Sequence, residues 1–245
     1  MKNSARICAR LIEESKFIVA FTGAGISTNA GMPDFRGPTG IYTIRKYGSE
    51  EIFEVGYFLQ DPKPFYNFAR DLIRILDRIR PTFTHHFLAK LEKKGKLKGI
   101  ITQNIDTLHQ KAGSKNVLEL HGNMGKSFCL RCRRKFSYEE TKKKILMEEV
   151  ARCSCGGLIK PDITFFGEMV KHLDKAQNLV LQSDLLCVIG SSLTVYPAAM
   201  IPRMTEGKII VVNKGDVNAF LPKIELFIRE DIDNFFKKVA VFLDI

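Results

Sequence analysis

Five short apolar runs recur along this chain, and they constrain its fold more than any other feature. The runs are rich in β-branched residues and show little alternation of apolar and polar side chains. This pattern is typical of parallel strands that are buried on both faces. The runs are residues 17–21, 99–102, 117–120, 185–189 and 209–212.

Helical patterns separate several of these runs. Ile7, Leu11 and Ile12 indicate a first amphipathic helix. Further apolar stripes at helical spacing cover residues 64–79, 84–94, 172–181 and 231–243. Alternating strands and helices predict an α/β fold, a Rossmann-like parallel sheet with helices on both faces, which binds ligands beyond the carboxyl ends of its strands.

Residues 125–161 interrupt this rhythm, since they are basic, bear cysteines and contain few buried strands. We predict that they form a small inserted module. Residues 1–124 and 162–245 would then form the nucleotide-binding domain, and part of residues 30–80 is a candidate extension of the small domain.

Two closely spaced cysteine pairs lie in this insert, Cys129 with Cys132 and Cys153 with Cys155, and 20 residues separate the pairs. Four thiolates from two such knuckles predict a closed tetrahedral site for structural Zn²⁺. The second knuckle is shorter than usual, and Gly156-Gly157 gives it conformational freedom. The alternative is four reduced thiols in an insert with little core of its own.

The net charge of +11 is spread widely over the 245 residues, which favours a lysine-rich surface over a dedicated nucleic-acid site. The densest cluster contains nine Lys/Arg and four Asp/Glu between Lys126 and Arg152. An acidic or nucleic-acid-associated partner is therefore a hypothesis for the insert alone. We expect no membrane span and no signal peptide, and hence a cytoplasmic protein, with a monomer as the default.

A glycine-rich turn, Thr22 to Thr28, follows the first apolar run and precedes the string Gly31-Met32-Pro33-Asp34-Phe35-Arg36-Gly37. Glycines at a strand end allow backbone N–H groups to approach a pyrophosphate. The turn therefore predicts a dinucleotide site.

Polar residues follow the next two runs. Gln103, Asn104 and Asp106 could hold ribose hydroxyls, a carboxamide or a water, and the alternative is that Asn104 or Asp106 caps a helical turn. His121, directly after a strand and beside a glycine, is the best candidate for a general base, and the alternative is a hydrogen-bonded core histidine.

The last two runs end in small or amide side chains. Gly190, Ser191 and Ser192 follow one run, and Asn213 follows the other. These residues suit an adenosine ribose and phosphate. No acidic residue stands about 20 positions after the glycine turn, so we expect Asn213 to hold the ribose.

Together these segments resemble the sirtuins, a family of NAD-dependent protein-lysine deacylases. The resemblance spans residues 23 to about 231 and rests on ordered motifs: residues 23–27, 31–37, 102–106, 120–122, 166–168, 190–192 and 211–213, with the four cysteines. Met32 replaces the usual isoleucine at nearly constant volume. The shortened second cysteine pair is the main departure, and it bears on zinc geometry rather than on catalysis.

The resemblance implies a reaction in which the acetyl group of acetyl-lysine passes to ADP-ribose, with release of nicotinamide and O-acetyl-ADP-ribose. His121 would take a proton from a ribose hydroxyl, and Asn104 would position ribose or water. Asp106 and Ile105 would bind the nicotinamide amide. The residues implied for NAD binding are Gly23, Ala24, Gly25, Thr28, Asp34, Phe35, Arg36, Gln103, Asn104, Ile105, Asp106, Gly190, Ser191, Ser192, Asn213, Asp231 and Ile232.

The resemblance also implies that the acylated peptide adds as a strand between residues 167–170 and 193–195. The substrate-binding residues so implied are Ile163, Phe165, Phe166, Gly167, Glu168, Leu193 and Val195. Desuccinylating sirtuins resemble one another in a Tyr-x-x-Arg pair, for which this chain has Ala69 and Leu72, so we expect a preference for acetyl over succinyl groups. Protein mono-ADP-ribosyl transfer and a non-enzymatic nucleotide-sensing zinc protein are the alternatives.

Overall fold

The structure is a computed structural model that describes residues 2–34, 50–217 and 220–245. Its helices are α1 Lys2–Glu14, α2 Val55–Gln60, α3 Lys63–Leu76, α4 Phe83–Lys93, α5 Leu108–Lys111, α6 Tyr138–Met147, α7 Leu173–Leu181 and α8 Ile232–Leu243. Its strands are β1 Ile18–Thr22, β2 Leu97–Thr102, β3 Val117–Glu119, β4 Gly122–Cys129, β5 Lys135–Ser137, β6 Ile159–Ile163, β7 Leu185–Ile189, β8 Lys208–Val212 and β9 Ile224–Ile228. Within these ranges no helix is long and apolar enough to cross a lipid bilayer.

The main sheet has six parallel strands in the order β3-β2-β1-β7-β8-β9. The predicted doubly wound sheet is therefore confirmed, and each of the five apolar runs forms one of its strands. The strand order reverses between β1 and β7, and ligands bind at such a reversal in folds of this class. β1 and β7 are buried along their whole length, because helices cover both faces of the sheet.

Each face of the sheet has its own hydrophobic cluster. One cluster packs α1, α4 and α8 against the strands through residues such as Cys8, Phe87 and Phe236. The other packs α7 and a 3₁₀ helix, Ala198–Met204, against the opposite face through residues such as Val180 and Ile201. The two clusters therefore cover the two faces of the sheet.

The second sheet is antiparallel, with the strand order β5-β4-β6, and α6 packs against β4. A third hydrophobic cluster joins this sheet to α2 and α3, since it contains Phe58 and Phe65 together with Ile145 and Ile163. The phenol of Tyr66 on α3 donates to the carbonyls of Ile159 (2.8 Å) and Ala151 (3.2 Å). The domain boundaries 1–124, 125–161 and 162–245 stay a prediction.

Candidate active site

A cleft of about 580 Å³ opens at the carboxyl ends of the parallel strands and continues along the end of β6. Loops that follow β1, β2, β6, β7 and β8 supply its wall. The sequence-predicted residues on that wall are Ala24, Gly25, Thr28, Asp34, Gln103, Asn104, Ile105, His121, Ile163, Phe165, Phe166, Gly167, Glu168, Gly190, Ser192, Val195, Asn213, Asp231 and Ile232. The fold thus brings the glycine turn, His121 and the implied peptide edge to one cleft.

Four predicted residues, Gly23, Asp106, Ser191 and Leu193, are buried and do not belong to the wall that the described residues form. Phe35 and Arg36 lie outside the described residues. Their predicted roles in NAD or peptide binding stay a prediction, because the chain itself covers these four residues.

The glycine turn packs directly against the end of β7. The Gly25 N–H donates to the Gly190 carbonyl (2.8 Å), and the Gly23 N–H donates to the Ile189 carbonyl (3.0 Å). A Cβ atom on Gly25 would lie 2.7 Å from the Gly190 Cα, and one on Gly23 would lie 2.8 Å from the Gly190 oxygen. This close backbone approach explains why the turn contains glycine at both positions.

Asp106 anchors a buried network under the turn. Its Oδ2 accepts a hydrogen bond from the Ser27 hydroxyl (2.7 Å), and its Oδ1 accepts one from the Leu108 N–H (2.8 Å) at the start of α5. Asp106 therefore holds the first N–H of α5 from the position before the N-cap residue, Thr107. Burial raises the pKa of Asp106, and the hydrogen bonds from Leu108 and Ser27 oppose that rise. The Asn104 amide completes the network by donating to the Ser27 hydroxyl (3.2 Å).

His121 is oriented by the main chain. Its Nδ1 lies 3.0 Å from the Gln103 carbonyl oxygen. A carbonyl can only accept, so Nδ1 carries the proton and Nε2 of the neutral ring keeps its lone pair. Burial lowers the pKa of His121, and the Gln103 hydrogen bond partly offsets this effect. An imidazole that is neutral and oriented in this way can act as a base near neutral pH.

The strand order brings Gln103 and Ser191 together. The Ser191 hydroxyl donates to Gln103 Oε1 (2.8 Å) and accepts from the Leu193 N–H (3.2 Å). The backbone N–H of Gln103 in turn donates to the Thr22 carbonyl (3.0 Å). The loops after β1, β2 and β7 thus hold one another in place behind the wall of the cleft.

Two other histidines, His85 and His109, are buried and lie within hydrogen-bond distance of threonine hydroxyls. His109 Nε2 lies 2.9 Å from the Thr22 hydroxyl, and His85 Nδ1 lies 2.9 Å from the Thr82 hydroxyl. Burial lowers the pKa of both, that of His85 to about 3. The rings pack with their centroids 4.7 Å apart, beneath the glycine turn.

The region expected to hold the adenosine ribose contains residues that the sequence analysis missed. The Asn213 amide donates to the Gly215 carbonyl (2.9 Å) and so shapes its own loop. Asn29 and Lys214, which were not predicted, both contact the Asp231 carboxylate (3.1 and 2.9 Å). The other missed residues on the cleft wall are Phe53, Thr164, Tyr196, Pro197, Gly215 and Asp216. Most of these residues are close in the sequence to a predicted motif, and this closeness is the feature by which sequence analysis could have found them.

Ala69 and Leu72, the pair expected to set the acyl preference, are buried on α3 within the third hydrophobic cluster. Neither belongs to the cleft wall as traced by the described part of the chain. The interpretation that these two positions meet the acyl tail therefore gains no support, and the preference for acetyl groups stays a prediction.

The four cysteines converge as a metal-binding set. Their Sγ atoms all lie within 4.8 Å of one another, with Cys129 to Cys155 at 3.5 Å and Cys132 to Cys153 at 3.7 Å. Zn–S bonds of about 2.3 Å in a tetrahedron place sulfur atoms about 3.8 Å apart, so the set fits Zn²⁺. A Cβ on Gly157 would lie 2.6 Å from the Cys129 Sγ, which explains why the short knuckle ends in glycine.

Comparisons with known proteins agree with this geometry. The Sir2 family model matches residues 23–197. An NAD-dependent protein deacetylase of Thermotoga maritima is 47% identical over 212 residues, which are 84% of this chain and 85% of the relative. The chain therefore belongs to the Sir2 family, and the sirtuin resemblance is confirmed.

Solved Sir2 structures share the whole architecture. A Sir2 variant with a deacetylated p53 peptide and 3'-O-acetyl ADP-ribose superposes with a TM-score of 0.89 at 42% identity, covering 97% of this chain and 98% of that one. Sir2 with a p53 peptide and NAD⁺ gives a TM-score of 0.87 at 41% identity, with 96% of each chain covered.

Proposed function

We propose that this chain is an NAD-dependent protein-lysine deacetylase with a structural zinc site. It transfers the acetyl group of acetyl-lysine to ADP-ribose and releases nicotinamide and O-acetyl-ADP-ribose. The observation that carries this proposal is that the neutral imidazole of His121 shares one cleft with the glycine turn and the implied peptide edge.

His121 is the proposed general base. Its free Nε2 takes a proton from a ribose hydroxyl, while the Gln103 carbonyl fixes the tautomer and the ring orientation. The carbonyl of His121 also accepts the Thr164 N–H (2.8 Å), so the base is tied to the segment that borders the peptide. This link supports a role at the junction of the two substrates.

The NAD molecule lies along the strand ends in this proposal. The glycines at 23 and 25 keep this turn tight against β7, so that the backbone around Ala24 can approach the pyrophosphate closely. Asn104 faces the cleft and positions ribose or water, and Asp106 acts from behind it by holding Ser27 and Asn104. Phe35 and Arg36, which the family resemblance implies for NAD binding, are also part of the proposed NAD site.

The zinc ion supplies folding energy to the insert rather than chemistry, because four protein thiolates leave it no open position. Cys129, Cys132, Cys153 and Cys155 hold it. Clustered reduced thiols suit a reducing compartment, which supports the proposed cytoplasmic location. The proposal also includes a monomeric state and an acidic or nucleic-acid-associated partner for the basic insert.

The decisive experiment is to incubate the purified protein with an acetyl-lysine peptide, with and without NAD. We expect NAD-dependent loss of acetyl in the wild type and near-complete loss of activity in His121→Ala. The exposed His86 provides a matched control, and His86→Ala should retain activity. Normal turnover by His121→Ala would refute the assignment of the base.

Three further measurements separate the alternatives and test the acyl preference. Label from NAD that stays on protein without deacetylation would favour mono-ADP-ribosyl transfer. Steep salt-dependent DNA binding without nicotinamide release would favour a non-enzymatic role. Faster cleavage of succinyl-lysine than of acetyl-lysine in a side-by-side peptide assay would refute the acyl preference.

A further inference from the structure

Lys160 is a charged residue in the interior of the small sheet. Its side chain is only 1% exposed, in the middle of the hydrophobic residues of β6. Its ammonium donates to the Ile163 carbonyl (2.6 Å) and to Glu168 Oε2 (2.9 Å), and it lies 4.1 Å from the Phe165 ring centroid. All three partners belong to the cleft wall.

A lysine in such a place needs an explanation, because burying an ammonium costs free energy that one ion pair rarely offsets. Burial lowers the pKa of Lys160, and Glu168 opposes that fall. A methionine of similar length would fill the same space without this cost. The contacts of the ammonium, rather than the packing of the stem, therefore distinguish lysine at this position.

The carboxylate of Glu168 links the ammonium of Lys160 to the main chain of the turn. Glu168 Oε2 also accepts the Phe165 N–H (2.8 Å), and the Glu168 N–H donates back to the Phe165 carbonyl (3.0 Å). Gly167 completes this tight turn with a φ of +89°. Lys160 thus holds the turn at its start, through Ile163 and Phe165, and at its end, through Glu168.

The turn is also fixed from its other side. The Phe166 N–H donates to the Phe53 carbonyl (2.8 Å), and the Val55 N–H donates to the Phe166 carbonyl (3.1 Å). The Phe165 ring packs against Phe58 and Phe65 at centroid distances of 5.2 and 4.9 Å. Lys160 adds a polar support from the β6 side.

We infer that Lys160 is a positioning residue for the peptide substrate: its ammonium fixes the turn 165–168, so that this edge presents its backbone to the acyl-lysine peptide. The glycine turn has separate supports at Gly190 and Asp106, so loss of the ammonium acts on the peptide and not on NAD. The inference rests on the proposed deacetylase function.

The test measures binding and turnover separately on the full chain. A fluorescent acetyl-lysine peptide is titrated by anisotropy without NAD, and ADP-ribose is titrated by calorimetry. We expect Lys160→Met to weaken peptide binding by about tenfold, because a misplaced binding edge loses preorganisation. Its Kd for ADP-ribose should equal that of the wild type, and Lys160→Arg should restore most peptide affinity.

Lys171→Met is the matched control. Lys171 also pairs with a carboxylate, that of Asp162, but neither residue lines the cleft as the described residues form it. Its substitution should leave both Kd values unchanged. If circular dichroism shows that Lys160→Met does not fold, Glu168→Gln replaces it, since that variant leaves Lys160 without its counter-charge and should also weaken peptide binding.

The inference is overturned if Lys160→Met binds the peptide with wild-type affinity, or if Glu168→Gln does so where Lys160→Met does not fold. It is also overturned if a folded variant loses affinity for the peptide and for ADP-ribose by the same factor. Wild-type turnover with NAD tests the proposed function on its own. A wild type that binds the peptide but never deacetylates it would refute the proposed function and leave the binding comparison valid. A wild type that binds no acetyl-lysine peptide overturns both.

Discussion

The packing of the glycine turn predicts the effect of adding one methyl group to it. In Gly25→Ala the new Cβ would lie 2.7 Å from the Gly190 Cα and 2.9 Å from the Gly190 oxygen. Carbon atoms in contact are ordinarily at least about 3.5 Å apart, so the turn must retreat by roughly 1 Å. Both neighbouring atoms belong to the backbone, so no side chain can rotate away.

This retreat has a calculable cost. Overpacking costs about 1–3 kcal/mol, and the 2.8 Å hydrogen bond from the Gly25 N–H to the Gly190 carbonyl contributes about 1 kcal/mol more. A loss of about 2–4 kcal/mol lowers the Tm of a chain of this size by roughly 5–15 °C. Because a 1 Å misplacement can cost about 100-fold in rate, kcat/KM for NAD should fall by about that factor.

The matched control is Gly56→Ala in α2, where an added Cβ meets no heavy atom within 4 Å. Alanine in a helix is about 0.5–1 kcal/mol more favourable than glycine, so this variant should match or slightly exceed the wild-type Tm. Thermal denaturation followed by circular dichroism, with an NAD titration of peptide deacetylation, makes the comparison. A Gly25→Ala protein with the Tm and the kcat/KM for NAD of the wild type would refute the packing argument.

Three further predictions concern the zinc site and two histidines. Gly157→Ala places a Cβ 2.6 Å from the Cys129 Sγ, so the purified variant should contain much less than one zinc per chain by elemental analysis, and full occupancy would contradict this. Because burial lowers the pKa of His121, the base stays neutral in mildly acidic solution, and the acid limb of kcat/KM should lie below about pH 6.5; a limb above pH 7 would argue against it. Burial lowers the pKa of folded His85 to about 3. Below about pH 6.5 the unfolded chain therefore binds a proton that the folded chain does not. The free energy of unfolding consequently falls as the pH falls, by up to about 1.4 kcal/mol per pH unit. Urea titrations between pH 7 and pH 5 should show a smaller loss for His85→Gln, and equal losses would refute the assignment.

Local sequence patterns were sufficient for the main sheet because its strands are apolar on both faces. The missed strand, β9, lies at the edge of the sheet, and its first two residues are exposed. Without burial on both faces it lacks the continuous apolar run that marked the other five. β2 begins at Leu97, earlier than predicted, because the exposed Lys98 interrupts its apolar pattern.

Some residues of the candidate site could also be predicted from local sequence patterns, and others could not. Residues directly after predicted strands, such as Gln103 and His121, could be placed at the cleft, since parallel strands end at one edge of the sheet. Asn29 could not, because its contact with Asp231 joins positions 202 residues apart in the chain. The positioning contacts of Lys160 depend on the geometry of a turn and were equally invisible in the sequence.

The third hydrophobic cluster has a consequence for the sensitivity of the protein to oxidation. Cys129 and Cys153 pack in the same cluster as Ile163 and Phe165, which form part of the cleft wall. Oxidative damage at the thiolates would therefore disturb a cluster that also contains two residues of the cleft wall. The redox history of a preparation thus becomes a variable to control when the protein is assayed.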